Sequence, residues 1–85
     1  MNGKVFALED DASISGLIKV ALQMNGTDFE AYSNIKDFTA AIEKAQPDVG
    51  LLDIMLPDGS GLDVLKTVKA RWPQVSCIML SALSK

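Results

Sequence analysis

Two groups of acidic residues each follow a short apolar run in this 85-residue chain. Glu9, Asp10 and Asp11 come directly after residues 4–8, and Asp53 comes directly after residues 49–52. If both runs are neighbouring parallel strands, the carboxylates converge at one end of the sheet, where repulsion between like charges requires protons or a cation. Carboxylate, carbonyl and water oxygens are the ligands that Mg²⁺ takes, often together with a phosphoryl group. Glu9, Asp10 and Asp53 therefore predict a Mg²⁺ site.

The residue types that are missing exclude several other kinds of site. The chain has no histidine and a single cysteine, Cys77. Ser-His and Cys-His nucleophile pairs, histidine-rich zinc sites and a disulfide within the chain are therefore excluded. The chain also cannot donate a phosphoryl group from a phosphohistidine of its own. Carboxylate chemistry is the main option that remains.

Composition places the chain among small globular domains. We expect one domain over residues 1–85, with 48% hydrophobic residues available for its core. The net charge of −3 argues against direct binding of nucleic acid by this chain. No stretch approaches the roughly 18 apolar residues of a membrane span, and the acidic residues interrupt the N-terminal apolar run. We therefore expect no membrane association and a cytoplasmic location.

Hydrophobic periodicity predicts strands that alternate with helices. Strands are expected at residues 4–8, 27–32, 49–54 and 75–80, the second of them at a sheet edge. Three helices lie between them, the first capped by Asp11 and stopped at Asn25-Gly26. Their predicted inward faces are Ile14, Leu17, Ile18, Ala21 and Leu22 in the first helix, Ile35, Phe38, Ala41, Ile42 and Ala45 in the second, and Leu62, Leu65 and Val68 in the third.

The order βαβαβαβ favours an α/β fold with a doubly wound parallel sheet. We adopt the flavodoxin-like strand order 2-1-3-4, in which the first and third strands flank the point where ligands bind. Glu9, Asp10, Asp53 and Ser81 each follow the carboxyl end of a strand. All four are therefore expected at one rim of the sheet. The methionines Met24, Met55 and Met79 are expected to pack inside the fold.

Three segments in the same order resemble the receiver domain of two-component response regulators. They are KVFALEDD at residues 4–11, LLDIMLPDGSGL at residues 51–62 and IMLSA at residues 78–82. The middle segment is the most specific of the three. The order of all three strengthens the resemblance, which runs through the whole chain.

The resemblance implies a role for each candidate site residue. Asp53 would accept a phosphoryl group from the phosphohistidine of a sensor histidine kinase or a phosphotransfer protein. Asp10, Glu9, Asp53 and the backbone carbonyl of Met55 would hold Mg²⁺. Ser81 would donate a hydrogen bond to a phosphoryl oxygen. On this interpretation the chain is a phosphoacceptor regulatory domain and not an enzyme, beyond self-phosphorylation and autodephosphorylation.

The family pattern also contains a further helix, a fifth strand that ends in a lysine, and a last helix. From average element lengths, about 35–40 residues of that pattern are expected to be lacking here. A truncated or degenerate receiver that acts only as an interaction module is therefore an alternative. A haloacid-dehalogenase-like phosphatase is a weaker one, because that family needs a second aspartate where Met55 stands. We also expect self-association through the apolar last strand.

Overall fold

The structure is a computed structural model, and it describes residues 3–80. Apart from two short strands before the third helix, strands and helices alternate along this part of the chain, as the sequence predicts. The bounds are β1 Lys4–Leu8, α1 Ala12–Gln23, β2 Asp28–Tyr32, α2 Ile35–Lys44, β3 Val49–Leu52, β4 Met55–Leu56, β5 Gly59–Ser60, α3 Gly61–Arg71 and β6 Ser76–Met79. No helix among the described residues is long and apolar enough to cross a membrane.

Four strands form one parallel sheet in the order β2-β1-β3-β6. This is the predicted order, with β6 as the fourth strand of the main sheet and β2 at an edge. The remaining two strands, β4 and β5, form a separate antiparallel pair that the sequence analysis did not predict. In the main sheet Leu8 is paired with Leu52, so β1 and β3 end at the same level. The residues that follow both strands consequently begin side by side.

The helix termini follow from local side-chain chemistry. The Asp11 carboxylate accepts hydrogen bonds from the backbone N–H groups of Ser13 and Ile14, which confirms its predicted role as the cap of α1. Gly26 follows the end of that helix with a φ of +74°, a conformation that glycine adopts without strain. Asn34 caps α2 and Ser60 caps α3. Each helix therefore begins at a residue that accepts a hydrogen bond from the first turn.

The two faces of the sheet are covered unequally. Alternate residues of β1 point to opposite faces, Phe6 and Leu8 to one and Val5 and Ala7 to the other. The first face packs against α2 and α3 through a core of Phe6, Leu8, Phe38, Ile42, Leu52, Val64, Val68 and Val75. The second face has a smaller core of Val5, Ala7 and Phe29, which is covered by Ile18 and Leu22 of α1. Among the described residues, α1 is the one helix on that face.

This asymmetry overturns part of the predicted inward face of α1. Leu17 is 73% exposed and Ala21 is also exposed, whereas Ile14, Ile18 and Leu22 are half-buried. Periodicity identifies an apolar stripe, but a single helix on a sheet face buries only the part of the stripe that meets the strands. The outer part of the α1 stripe therefore contacts no other helix in the described part of the chain.

The predicted inward face of α3 needs a similar correction. Val64 and Val68 are buried and Leu65 is partly buried, but Leu62 is 46% exposed. At about 100° per residue, Leu62 and Val68 lie about 120° apart around the helix, while Val64 and Val68 lie only about 40° apart. Spacing by four residues therefore marks the core side of this helix.

Two of the three methionines that were expected to pack inside the fold do not do so. Met24 is 82% exposed and Met55 is 66% exposed, while Met79 packs against the main core. Met24 follows the end of α1, and Met55 lies in the short pair of strands outside the main sheet. Residues in these positions have no second layer to pack against, whatever their hydrophobicity.

Candidate functional site

The carboxyl ends of β1 and β3 bring three predicted site residues together. One carboxylate oxygen from each of Glu9, Asp10 and Asp53 lies within 4.8 Å of the other two. Backbone pairing fixes this arrangement, because the N–H of Asp53 donates to the carbonyl of Leu8 at 2.9 Å. The N–H of Glu9 in turn donates to the carbonyl of Tyr32 at 2.9 Å. The hydrogen bonding of the sheet thus extends one residue past the strands, to the backbone of Asp53 and of Glu9.

The three carboxylates differ in their exposure to solvent. The Asp53 side chain is completely buried and Glu9 is 2% exposed, whereas Asp10 is exposed. Two unit charges at 4.8 Å repel by about 3.5 kcal/mol at an effective dielectric constant of about 20. The cluster is therefore unfavourable when all three groups are ionised and no cation is present.

The pKa of Glu9 reflects this environment. Burial raises the pKa of the Glu9 carboxyl above its ordinary value of 4.5, and the neighbouring Asp53 and Asp10 carboxylates raise it further. A hydrogen bond from the backbone N–H of Asp11 to Glu9 Oε2, 3.0 Å long, acts in the opposite direction. The net effect is a carboxyl group that holds its proton more tightly in the folded protein than in water.

The donor set fits a hard divalent cation. Glu9 Oε1 is buried, and no N–H or O–H donor of residues 3–80 reaches it. A buried carboxylate oxygen normally accepts a hydrogen bond or coordinates a metal. Three oxygen ligands, one on an exposed residue, would also leave room for the several waters that Mg²⁺ retains. Glu9, Asp10 and Asp53 are thus suitable ligands for Mg²⁺ and lack the nitrogen and sulfur ligands that zinc sites use.

The segment that follows Asp53 folds back upon it. The N–H of Gly61 donates to the carbonyl of Ile54 at 2.7 Å. A β-carbon on Gly61 would lie 1.7 Å from the carbonyl oxygen of Asp53, so only glycine fits there. Between these residues β4 and β5 pair Met55 with Ser60, forming the hairpin 55–60. Met55, whose backbone carbonyl is a predicted metal ligand, therefore lies at the base of this hairpin.

Asp58, in the hairpin 55–60, contacts the first turn of α2. Its carboxylate oxygens accept hydrogen bonds from the N–H groups of Ile35 at 2.9 Å and Lys36 at 3.2 Å. These bonds, led by the one from Ile35, lower the pKa of Asp58 below its ordinary value of 3.8. The sequence gives no signal for this contact, because Asp58 lies more than twenty residues from the helix that it caps.

Ser81, the predicted hydrogen-bond donor to the phosphoryl group, lies outside the described residues. The strand before it is in place, since the N–H of Leu80 donates to the carbonyl of Leu52 at 2.7 Å. Trp72 follows the C-terminal end of α3, and α3 begins next to Asp53. The indole is therefore at the opposite end of that helix from the acidic cluster.

Known proteins are similar to this chain in sequence and in fold. The DNA-binding transcriptional regulator NtrC of Proteus hauseri is 35% identical over 82 residues, which are 96% of this chain and 17% of that protein. The transcriptional regulatory protein TrcR of Mycobacterium tuberculosis is 38% identical over 66 residues, or 78% of this chain and 26% of that protein. The chain thus spans about a sixth to a quarter of these two regulators.

Solved receiver domains superpose closely on the structure. The BeF₃-activated DrrB receiver domain aligns with a TM-score of 0.87 at 28% identity, over all of this chain and 70% of that one. The BeF₃-activated N-terminal receiver domain of Klebsiella pneumoniae RstA aligns with a TM-score of 0.86 at 28% identity, over 96% of this chain and 69% of that one. A model of the response regulator receiver domain family matches residues 5–85. The chain therefore belongs to the response regulator receiver domain family.

Proposed function

We propose that Asp53 accepts a phosphoryl group from the phosphohistidine of a sensor histidine kinase or phosphotransfer protein. The observation that carries this proposal is the convergence of the buried Asp53 carboxylate with Glu9 and Asp10 at the ends of two paired strands. Membership in the receiver family supports the same assignment. As a receiver of a two-component response regulator, the domain would have a regulatory role, with phosphorylation as its signal.

The transfer would exchange one bond at phosphorus for another. An oxygen of the ionised Asp53 carboxylate forms a bond to phosphorus while the P–N bond to the donor imidazole breaks. The electron pair of that P–N bond returns to the imidazole nitrogen, and Asp53 becomes an acyl phosphate. Transfers of this kind depend mainly on an in-line nucleophile and on stabilisation of charge on the phosphoryl oxygens.

The chain's own residues would provide the positioning. Asp53 directly follows a strand that pairs on both sides, with β1 and with β6, and its N–H is bonded to Leu8. The nucleophile is therefore held on the most constrained part of the sheet. Glu9, Asp10, Asp53 and the backbone carbonyl of Met55 would hold Mg²⁺, and Ser81 would donate a hydrogen bond to the phosphoryl group. When bound, Mg²⁺ would neutralise negative charge on the carboxylates and the phosphoryl oxygens.

Acetyl phosphate provides a direct test, because it donates a phosphoryl group without a kinase. With Mg²⁺ present, we expect the intact mass of the chain to increase by one phosphoryl group. Asp53→Asn should abolish the increase, because an amide is a poor nucleophile. Asp28→Asn is the matched control, since Asp28 begins β2 at the opposite end of the sheet, and it should label like the unmodified chain.

The same experiment separates the proposed function from its alternatives. Equal labelling of Asp53→Asn and the unmodified chain would refute Asp53 as the acceptor. No labelling of the unmodified chain would favour the interaction module without phosphotransfer. Continuous release of phosphate from many acetyl phosphate molecules would favour the phosphatase, although Met55 occupies the position where that family needs an aspartate.

A further inference from the structure

The backbone N–H groups at the N-terminus of α2 donate hydrogen bonds to side chains from two separate segments of the chain. Asn34, the helix's own cap, accepts from the N–H of Asp37 at 2.8 Å. Asp58 accepts from the N–H groups of Ile35 and Lys36, the first two residues of the helix. The first turn of a helix leaves these N–H groups without partners inside the helix. Here Asp58 satisfies two of them from a hairpin that follows Asp53.

A second contact joins the same two segments. A β-carbon on Gly59 would lie 2.9 Å from Cδ1 of Ile35, so the backbone of the hairpin packs directly on the Ile35 side chain. Ile35 and Leu56 also both pack against the main core. The hairpin 55–60 and the first turn of α2 are thus held together by hydrogen bonds and by apolar contact.

At its other end the hairpin is attached to Asp53. Met55 lies two residues after Asp53, and the bond from Gly61 to Ile54 closes the segment against the end of β3. The close approach of Gly61 to the Asp53 carbonyl leaves no space for the segment to move inward. A displacement of the peptides next to Asp53 would therefore move the hairpin as a unit, because its two strands are paired.

We propose that Asp58 is a positioning residue that couples the Asp53 site to the N-terminus of α2. This inference rests on the proposed function, in which the backbone carbonyl of Met55 helps to hold Mg²⁺. Binding at the site would shift the peptide of Met55, and the hairpin would transmit that shift to Ile35 and Lys36 through Asp58. Binding at the site would then change the position of the first turn of α2 as well as that of the strand ends around Asp53. Coupling of this kind requires a physical link between the two places, and Asp58 provides it.

Backbone amide NMR signals of the full 85-residue chain test this coupling during a Mg²⁺ titration. We expect the signals of Asp10 and Asp53 to shift, together with those of Ile35 and Lys36. In Asp58→Ala the Ile35 and Lys36 response should be lost, while the Asp10 and Asp53 signals still shift. In Asn34→Ala, which removes the other cap of α2, the Ile35 and Lys36 response should persist. A merely structural role for Asp58 would make the two variants behave alike.

Two outcomes would overturn the coupling while leaving the proposed function intact. One is a shift at Asp10 and Asp53 with no shift at Ile35 and Lys36 in the unmodified chain. The other is a response at α2 that survives Asp58→Ala.

If Mg²⁺ shifted none of these signals, the proposed metal site would fail, and amide hydrogen exchange would then decide the coupling alone. Coupling predicts that Asp58→Ala accelerates exchange at Met55 and Ser60 roughly fivefold, as loss of a typical cap would. Acceleration confined to α2 would contradict it.

Discussion

At the scale of single residues, Glu9 shows how the acidic cluster lowers the stability of the folded protein when no cation is bound. Its pKa is raised by burial and by the neighbouring carboxylates. The folded chain therefore binds the Glu9 proton more tightly than the unfolded chain does. Between the ordinary pKa of 4.5 and the higher pKa of the folded state, stability falls as the pH rises. Above that window, the penalty of the ionised carboxylate is fully present.

We predict that Glu9→Gln raises the melting temperature of the metal-free chain at pH 7, because it removes a buried negative charge. The gain should disappear as the pH falls below about 4.5, where Glu9 is protonated in both states. Thermal unfolding in the presence of a chelator measures both effects. Glu30→Gln is the matched control at an exposed position of β2. It should show neither the higher melting temperature at pH 7 nor its loss at low pH. A lower melting temperature for Glu9→Gln at pH 7 would contradict the prediction.

The contribution of Asp10 to metal binding should be visible in the thermal stability of the protein with Mg²⁺. A ligand at ten times its dissociation constant stabilises the folded state by about 1.4 kcal/mol. For a domain of this size each kcal/mol raises the melting temperature by roughly 4–8 °C. We predict that Asp10→Ala removes most of the stabilisation by Mg²⁺, because it removes one of three carboxylate ligands.

Asp11→Ala provides a sharp comparison for this measurement. Asp11 caps α1, so its loss should cost about 0.5–2 kcal/mol of stability with or without metal. The increase in melting temperature on adding Mg²⁺ should nevertheless be unchanged, since Asp11 is not in the cluster. An unchanged Mg²⁺ effect in Asp10→Ala, or a lost one in Asp11→Ala, would show that the ligands have been assigned wrongly.

The candidate site was largely predictable at this scale, and for a physical reason. Side chains that follow the ends of neighbouring parallel strands must lie close together, so the order of the strands places Glu9, Asp10 and Asp53. The contact between Asp58 and α2 could not be predicted in the same way. It joins a hairpin to the first turn of a helix that is distant in sequence, and the path of such a connecting segment depends on tertiary packing that no local pattern encodes.

At the scale of elements, the two glycines near Asp53 should respond oppositely to a single added methyl group. A β-carbon on Gly50, in the middle of β3, would lie 3.8 Å from Cys77 Sγ and 4.0 Å from Phe38 Cζ, which are ordinary contact distances. We predict that Gly50→Ala stabilises the domain by about 0.4–1 kcal/mol, because it reduces the entropy of the unfolded chain. Chemical denaturation measures this change.

Gly61→Ala should strongly destabilise the protein, because the new β-carbon would overlap the carbonyl oxygen of Asp53. Relief requires the segment after Asp53 to move, which breaks the hydrogen bond from Gly61 to Ile54. We expect a loss in the upper part of the usual range of about 0.5–3 kcal/mol for single substitutions. Equal stabilities for the two alanine variants would show that the segment is not held against Asp53.

Element types and strand order were predicted well, whereas helix faces were predicted less well. Alternation and capping are local properties, so β1, β3 and the cap of α1 follow directly from sequence. Which part of an apolar stripe becomes buried depends on what covers it. Leu17 and Leu62 were assigned to the core on periodicity, yet both are exposed because no described element packs over them. The short hairpin of β4 and β5 was missed, since two-residue strands carry no recognisable period.

At the scale of the whole molecule, the unequal cover of the two sheet faces is the main feature. One face packs against two helices, and the other packs against α1 alone among the described residues. β6 lies at the sheet edge, and Ile78 on that strand is 53% exposed. Leu17, on the helix that covers the second face of the sheet, is 73% exposed. An apolar edge with unpaired backbone groups is a template for pairing with another strand.

We therefore predict that a chain of these 85 residues self-associates at low micromolar concentration, by pairing at β6 or by exchanging elements between copies. Sedimentation velocity measures the state directly. Ile78→Lys should shift the chain towards monomer, because a charged side chain on an edge strand opposes pairing. Val20→Lys, which places the same charge on the exposed side of α1 at a similar exposure, should leave the association unchanged. A monomeric unmodified chain with one cooperative unfolding transition would contradict the prediction, and would show that a four-stranded main sheet and three helices suffice for a stable core.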